Sequence, residues 1–492
     1  MTILLFLMVL SGLVELAVSY WLPSLRKVTT SLLLFAELIL LVFMLALYGD
    51  LLWVDVLSLV WLYRLFNLYR LRSSRSNERF LQNVTRHTTL RLVLFQAVIA
   101  GGGLISGLIY GFYYKQWYVL ALIQLALAVI LLVSTLRHKA VSNRLLASQA
   151  LADTQAPTLS VAIPARNETD NLYDCLVSLL ACDYPKLEIL VLDDNSTLKR
   201  TPEIIRSFAH DGVEFVAGKE LPETGWLAKN WAYEQLAEAA NGEYILFCGA
   251  DTRFEPEALR TMVSIAVSRN KDMLSVVPRN RLQSGVQSGV LQPMRYAWEI
   301  SLPRRWFKRP PVLSTCWLAK RQFLSSTGGF KAVSRRVVCE SYFAREAIQH
   351  DGYSFFRYDG VQSLKPADEQ LETAIRLRYP QLKRQPELVA LLSVVELFGC
   401  LGSIASMFWG IVLGSYMVSF IGLLAFILSA VTFAQIFLIT YRRKTGVAYL
   451  LWPIGFLTDI YLMNLSMWRY EFGNVLWKGR SVAPSVMYSD KS

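Results

Sequence analysis

Three short polar clusters hold most of the residues that could do chemistry: Pro164-Ala165-Arg166-Asn167-Glu168, Asp193-Asp194-Asn195-Ser196 and Gly249-Ala250-Asp251. Each follows a run of apolar residues, at 159–163, 188–192 and 244–248, and a fourth such run lies at 213–216. Between the first two, Leu172, Cys175, Leu176, Leu179 and Leu180 recur at helical spacing, and a further helix is expected at about 229–240. Buried strands alternating with helices predict a mainly parallel sheet covered on both faces. Ligands bind such sheets outside the carboxyl ends of the strands. One polar strand end is a turn, whereas three on one edge make a site. The six cysteines form no CxxC pair and there are only four histidines, which argues against a zinc site or a disulfide framework.

The elements that must carry this domain are membrane segments. The chain of 492 residues is 54% hydrophobic and 18% charged, below the roughly 25% charge of a soluble protein. Charge is scarce before about residue 68 and after about 387. Apolar stretches at 3–22, 30–48, 51–67, 92–113, 117–135, 389–413, 417–440 and 446–466 approach the length of a bilayer-spanning helix. Met1-Thr2-Ile3 lacks the positive start of a signal peptide, so the first stretch is expected to be an anchor. Basic loops (Arg26-Lys27; Arg70 to Arg86; Arg137, Lys139 and Arg144; Arg442-Arg443-Lys444) alternate with the nearly uncharged loops Gly49-Asp50 and Tyr114-Lys115-Gln116. The positive-inside rule then places the amino terminus outside and the central domain in the cytosol. The net charge of +12 is read as lipid-facing, not as a nucleic-acid footprint. Pro453, Gly455 and Asp459 mark the last segment as re-entrant or interfacial, which keeps the tail cytosolic. Within the spans, Glu15, Glu37, Asp55 and Arg64 read as internal pairs (Glu37 with Arg64, for instance) or as side chains snorkelling near a boundary, the alternative being a substrate or ion path, and Gly103, Gly107 and Gly111 are expected to admit a neighbouring helix of the same chain.

The residues resemble a family-2 glycosyltransferase of the GT-A fold over about 157–360. The resemblance rests on Val161 to Glu168, on Leu192 to Thr197, on Gly225-Trp226-Leu227-Ala228-Lys229-Asn230-Trp231-Ala232, and on Gly249-Ala250-Asp251-Thr252 in the place of the DxD motif. The third segment and the tail Trp477-Lys478-Gly479-Arg480 are similar to transferases acting on carotenoids, hopanoids and related lipids. The resemblance implies a nucleotide-diphosphate-sugar donor. Asp194 would accept hydrogen bonds from the uridine or ribose, with Glu168 and Asp193 nearby and Pro164, Arg166 and Ala250 on the same surface. Lys229 and a divalent cation (Mn²⁺ or Mg²⁺) on Asp251 would neutralise the diphosphate. Aligning on Ala344-Arg345 makes Glu340 the candidate base for an inverting transfer, and Trp226, Gly329 and Phe330 are assigned to the acceptor side.

Two positions depart from the family pattern: Gly249 replaces the first DxD carboxylate, and the base is Glu340 where the family carries Asp, with Cys339 before it. Arg304-Arg305-Trp306 lacks the Gln of the processive QxxRW motif and reads as a basic interfacial segment. The expectation is a non-processive transfer of one sugar to a membrane-lipid acceptor by a multi-pass protein, in the plasma membrane of a bacterium. Its parts are membrane segments in 1–90, a transmembrane hairpin in 91–140, the cytosolic domain in 157–380, further membrane segments in 387–470 and a cytosolic or interfacial tail in 471–492. The alternative is a catalytically silent scaffold that binds nucleotide-sugar. The sequence leaves the sugar, the lipid and the oligomeric state open.

Overall fold

The computed structural model describes residues 1–22, 24–48, 52–73, 78–110, 114–147, 151–223, 225–282, 286–301, 310–442 and 450–483. Gly49-Asp50, Arg75, Gly111, Arg304-Arg305-Trp306 and Arg443-Lys444, all singled out from the sequence, lie outside the described residues. Within the described residues, helices occupy each of the eight apolar stretches. Six are long and apolar enough to cross a membrane: Thr2–Trp21, Arg26–Tyr48, Val84–Gly107, Gln116–Leu146, Pro386–Val412 and Tyr416–Tyr441. The helices Leu52–Ser73 and Trp452–Phe472 are not among the six.

Charges within the amino-terminal helices are paired internally. Arg64, 3% exposed, donates to Glu37 Oε1 at 2.6 Å and also meets Glu15, with Gln96 accepting from the same guanidinium. Gly103 sits where a Cβ would come 2.9 Å from the Trp53 ring, so the glycine admits a helix of the same chain, as expected. The Tyr114–Leu146 helix runs on into the α/β domain: Ser142 Oγ accepts from the Arg357 amide at 3.0 Å, and the His138 and Phe355 rings are 5.3 Å apart.

The central domain is an eight-stranded sheet in the order β3-β2-β1-β4-β7-β6-β8-β5. These strands are β1 (Leu159–Ala165), β2 (Leu187–Asp193), β3 (Val213–Ala217), β4 (Tyr244–Cys248), β5 (Thr252–Phe254), β6 (Met273–Asn280), β7 (Cys316–Lys320) and β8 (Tyr353–Ser363). β3, β2, β1 and β4 are parallel, β7 is antiparallel to both β4 and β6, β6 and β8 are parallel, and β5 is antiparallel to β8. The sheet is therefore mixed, with the expected parallel half at its amino-terminal side. Burial on both faces follows the two-residue period of a strand. Val161, Ile163, Ile189 and Val191 enter one core with Leu176 and Met262, whereas Ala162, Leu190 and Leu192 enter the other with Leu236 and Trp317. The second core holds an aromatic cluster in which Phe247 stacks on Trp317 at 4.3 Å and Phe330 lies 5.3 Å from both Tyr233 and Phe343.

After the Trp452–Phe472 helix the chain forms a hairpin of β9 (Val475–Trp477) and β10 (Arg480–Ala483). Its loop residues Lys478 and Gly479 both have positive φ, 47° and 81°, as a tight two-residue hairpin turn requires. Asp459, fully buried in that helix, pairs with Arg378 at 2.5 Å and accepts from Trp298, tying the helix to those at Ala367–Gln381 and Val286–Ile300. The hairpin lies against the α/β domain, with Lys478 and Arg480 bonded to the turns after β1 and β2.

Candidate functional site

The turns after β1 and β2 are built on each other. Asn167 and Asn195 adopt left-handed φ of 52° and 51°, a region that Asn enters more readily than most residues. Asn167 Oδ1 accepts from the amides of Thr197 (2.9 Å) and Leu198 (3.2 Å), and Arg166 donates to the carbonyls of Asp194 (2.6 Å) and Asn195 (2.9 Å). Asp193 takes the Ser196 amide at 3.2 Å within its own turn. The strand ends thereby form one continuous rim.

The carboxyl-terminal hairpin closes on that rim. Arg480 grips both oxygens of Asp194, at 2.8 and 2.7 Å, and Lys478 donates to the Arg166 carbonyl at 2.7 Å and to the Glu168 carboxylate. Asp194 is only 2% exposed, and burial raises its pKa above the ordinary value of 3.8 although Arg480 opposes the shift. The two carboxylates expected to receive the nucleoside are thus held by cations of the chain's own tail.

On the other side of the rim, the Gly225 φ of 94° turns the chain into the Ala228–Ala239 helix, whose first turn carries Lys229. Lys229 pairs with Glu340, which is fully buried with the Cys339 thiol beside it. That thiol is pushed up by burial and by the Glu340 charge, which keeps it un-ionised. Asp251 follows β4 and accepts from Ser363 Oγ at 3.2 Å, with Lys365 Nζ at 4.0 Å. A Cβ on Gly249 would stand 2.5 Å from Asp251 Oδ1, so the glycine is what allows this carboxylate orientation.

These groups surround a cavity of about 150 Å³. Of the residues singled out from the sequence, Pro164, Glu168, Lys229, Ala250 and Asp251 line it. Arg166, Asp193, Asp194 and Glu340 do not line the cavity: the first three form the rim, and Glu340 lies beneath Lys229. Trp226, expected on the acceptor side, packs on Trp231 at 5.1 Å, and Gly329 (φ 59°) turns the chain so that the Phe330 amide meets Glu234 at 3.0 Å while its ring enters the aromatic core. Sequence reasoning missed Arg295, Lys365 and Arg376, which line the cavity from three separate elements.

The donors around Asp251 do not make a resident site for a divalent ion. They are one carboxylate, one hydroxyl and a nearby ammonium, and among the described residues no group of three or more His, Cys, Asp and Glu could hold a metal.

Residues 160–328 match the model of glycosyl transferase family 2. Residues 160–328 thus carry a family-2 glycosyl transferase domain, set among helices apolar enough to span a membrane. The chain is similar to a probable glycosyltransferase, YdaM, of Bacillus subtilis, with 26% identity over 186 residues covering 36% of this chain and 43% of the relative. It is also similar to the glycosyltransferase AglE of Haloferax volcanii, with 31% identity over 122 residues covering 24% of this chain and 38% of the relative. The chain thus spans less than half the length of these curated relatives. Among solved structures, the mannosyltransferase PcManGT of Pyrobaculum calidifontis, in complex with GDP-Man and Mn²⁺, matches at 18% identity and a TM-score of 0.39 over 71% of this chain and 96% of that one.

Proposed function

We propose that the chain is an integral-membrane glycosyltransferase that moves one sugar from a nucleotide-diphosphate sugar to a lipid acceptor, with inversion, at the cytosolic face. The observation that carries this reading is the cavity at the carboxyl ends of β1 and β4, where Asp251, Glu168 and Lys229 converge within a family-2 domain. The proposed domain limits are those drawn from the sequence, with membrane helices on both sides of 157–380. The helix Val286–Ile300 supports a lipid acceptor. It presents Arg295 to the polar cavity, and Met294 and Trp298 to an apolar cleft shared with Leu392, Phe433 and Phe456. A hydroxyl on an apolar tail held in that cleft would meet the donor near the membrane surface.

In the proposed reaction the acceptor oxygen attacks the anomeric carbon from the face opposite the nucleotide. The carbon–oxygen bond to the diphosphate breaks, and the diphosphate leaves with the bonding electrons. Glu340 takes the acceptor proton, Lys229 meets the departing charge, and the rim after β1, with Glu168 on the cavity, holds the nucleoside. A divalent ion arriving with the donor would supply further charge neutralisation at Asp251, and no step here depends on it.

The burial of Glu340 beneath Lys229 favours one alternative, a protein that binds nucleotide-sugar without turnover. Release of nucleotide diphosphate by the detergent-solubilised chain, across a panel of UDP- and GDP-sugars with total membrane lipid, decides between them. Lipid-dependent release is expected. Tight donor binding with no release under any combination would leave the scaffold.

A further inference from the structure

Arg295 is 8% exposed and lines the cavity, yet its side chain makes no hydrogen bond or ion pair with the described residues, and its Nε is buried without a partner. An unpaired buried charge is costly unless an opposite charge completes it. Two more cations stand on the same wall. Arg376 has the Trp477 ring 5.7 Å from its guanidinium, with Glu369 and Glu372 acting on its charge, and Lys365 approaches Asp251 at 4.0 Å. Burial lowers the pKa of Arg376 to about 10 and lowers that of Lys365, and each is lowered further by the charge of Arg295. Three cations that repel one another around one cavity wall are arranged for an anion.

We propose that Arg295, Lys365 and Arg376 form a diphosphate cradle, which receives the phosphates of the nucleotide-sugar and carries the charge that a metal on a full carboxylate pair would otherwise carry. The inference rests on the donor reading above. Gly249 fits it, since the absent side chain leaves Asp251 turned toward Ser363 and Lys365 and not toward a second carboxylate. Each of the three residues comes from a different element: Arg295 from the Val286–Ile300 helix, Lys365 from the segment after β8, and Arg376 from the Ala367–Gln381 helix. Both helices pack on Trp452–Phe472, so the cradle joins the donor pocket to the membrane-side helices.

The test is calorimetric titration of the full detergent-solubilised chain with UDP, GDP, uridine, inorganic pyrophosphate and a short-chain polyprenyl phosphate, each with Mn²⁺ and with EDTA. Arg295→Met, Arg376→Met and Lys365→Met are run beside the wild type. The wild type is expected to bind a nucleoside diphosphate in EDTA. Each Met variant should weaken that binding roughly 10- to 100-fold, the loss of a charge-assisted hydrogen bond, while uridine binding stays unchanged. Arg295→Met should also raise the melting temperature of the ligand-free protein, because it removes a buried charge that has no ion pair among the described residues. Unchanged diphosphate affinity in all three variants, equal weakening of UDP and uridine, or wild-type binding that vanishes in EDTA would overturn the cradle. Pyrophosphate binding without nucleotide binding would keep the cradle and sink the donor reading. Selective binding of the polyprenyl phosphate would overturn the assignment of the cradle to the donor.

Discussion

Replacing Arg480 with Met removes both hydrogen bonds to a carboxylate that is 2% exposed. Breaking a buried ion pair from one side costs about 3–5 kcal/mol. The lower end applies, since Arg166 still acts on Asp194 and a two-stranded hairpin can lift to admit water. About 3 kcal/mol corresponds to a hairpin that opens roughly 100-fold more often. Amide hydrogen exchange across 475–482 reads this directly, because local opening governs exchange there. The pH dependence follows from the sign of the shift. Asp194 has a raised pKa in the folded state, so its contribution to stability is full below 3.8 and is lost as pH rises through the folded value. Without Arg480 the folded value moves higher still. The variant's deficit should therefore be largest at neutral pH and shrink on acidification, and Asp194→Asn should restore most of the protection. Wild-type exchange rates in Arg480→Met, or no rescue by Asp194→Asn, would refute the view that this pair clasps the tail to the rim.

Other consequences are open to measurement. Glu340→Gln should retain nucleotide-diphosphate binding in calorimetry while abolishing sugar transfer; full transfer activity would remove Glu340 as the base. Gly249→Ala brings a Cβ to 2.5 Å from Asp251 Oδ1, so the carboxylate must swing away from Ser363. Titration should then show weaker nucleoside-diphosphate binding at an unchanged melting temperature. Phe330→Ala opens a void among Tyr233, Phe247, Trp317 and Phe343 and should cost about 3–5 kcal/mol, seen as a large drop in melting temperature. A selective rise in acceptor KM with stability intact would instead return Phe330 to the acceptor side.

The parallel half of the sheet was legible because short apolar runs ended by polar turns have few other homes. The runs at 159–163, 188–192, 213–216 and 244–248 became β1 to β4 with shifts of no more than two residues at their ends. The other half was not legible. β6 and β8 pair in parallel although the helices Val286–Ile300, Arg321–Ser326 and Glu340–Ile348 and strand β7 intervene in sequence, and β6 contains Pro278, which argues locally against a strand. The carboxylates of the rim could be located by type and position, but their partners could not. Asp194 meets Arg480 across 286 positions, a contact that no periodicity records. The cationic wall escaped for a related reason: Arg295 and Arg376 lie on helices, where isolated arginines resemble solvated or membrane-flanking charges until the fold sets them beside Lys365. Gly329 and Phe330 were read by motif as acceptor groups, whereas the ring of Phe330 packs in the aromatic core.

The most direct test of the central claim is transfer of a labelled sugar from UDP- and GDP-sugars into extractable membrane lipid, with wild type and Glu340→Gln assayed side by side. The account predicts a labelled lipid from one donor class, formed by the wild type and absent with the variant. Nucleotide binding by both proteins, with no labelled lipid from any donor, would contradict it.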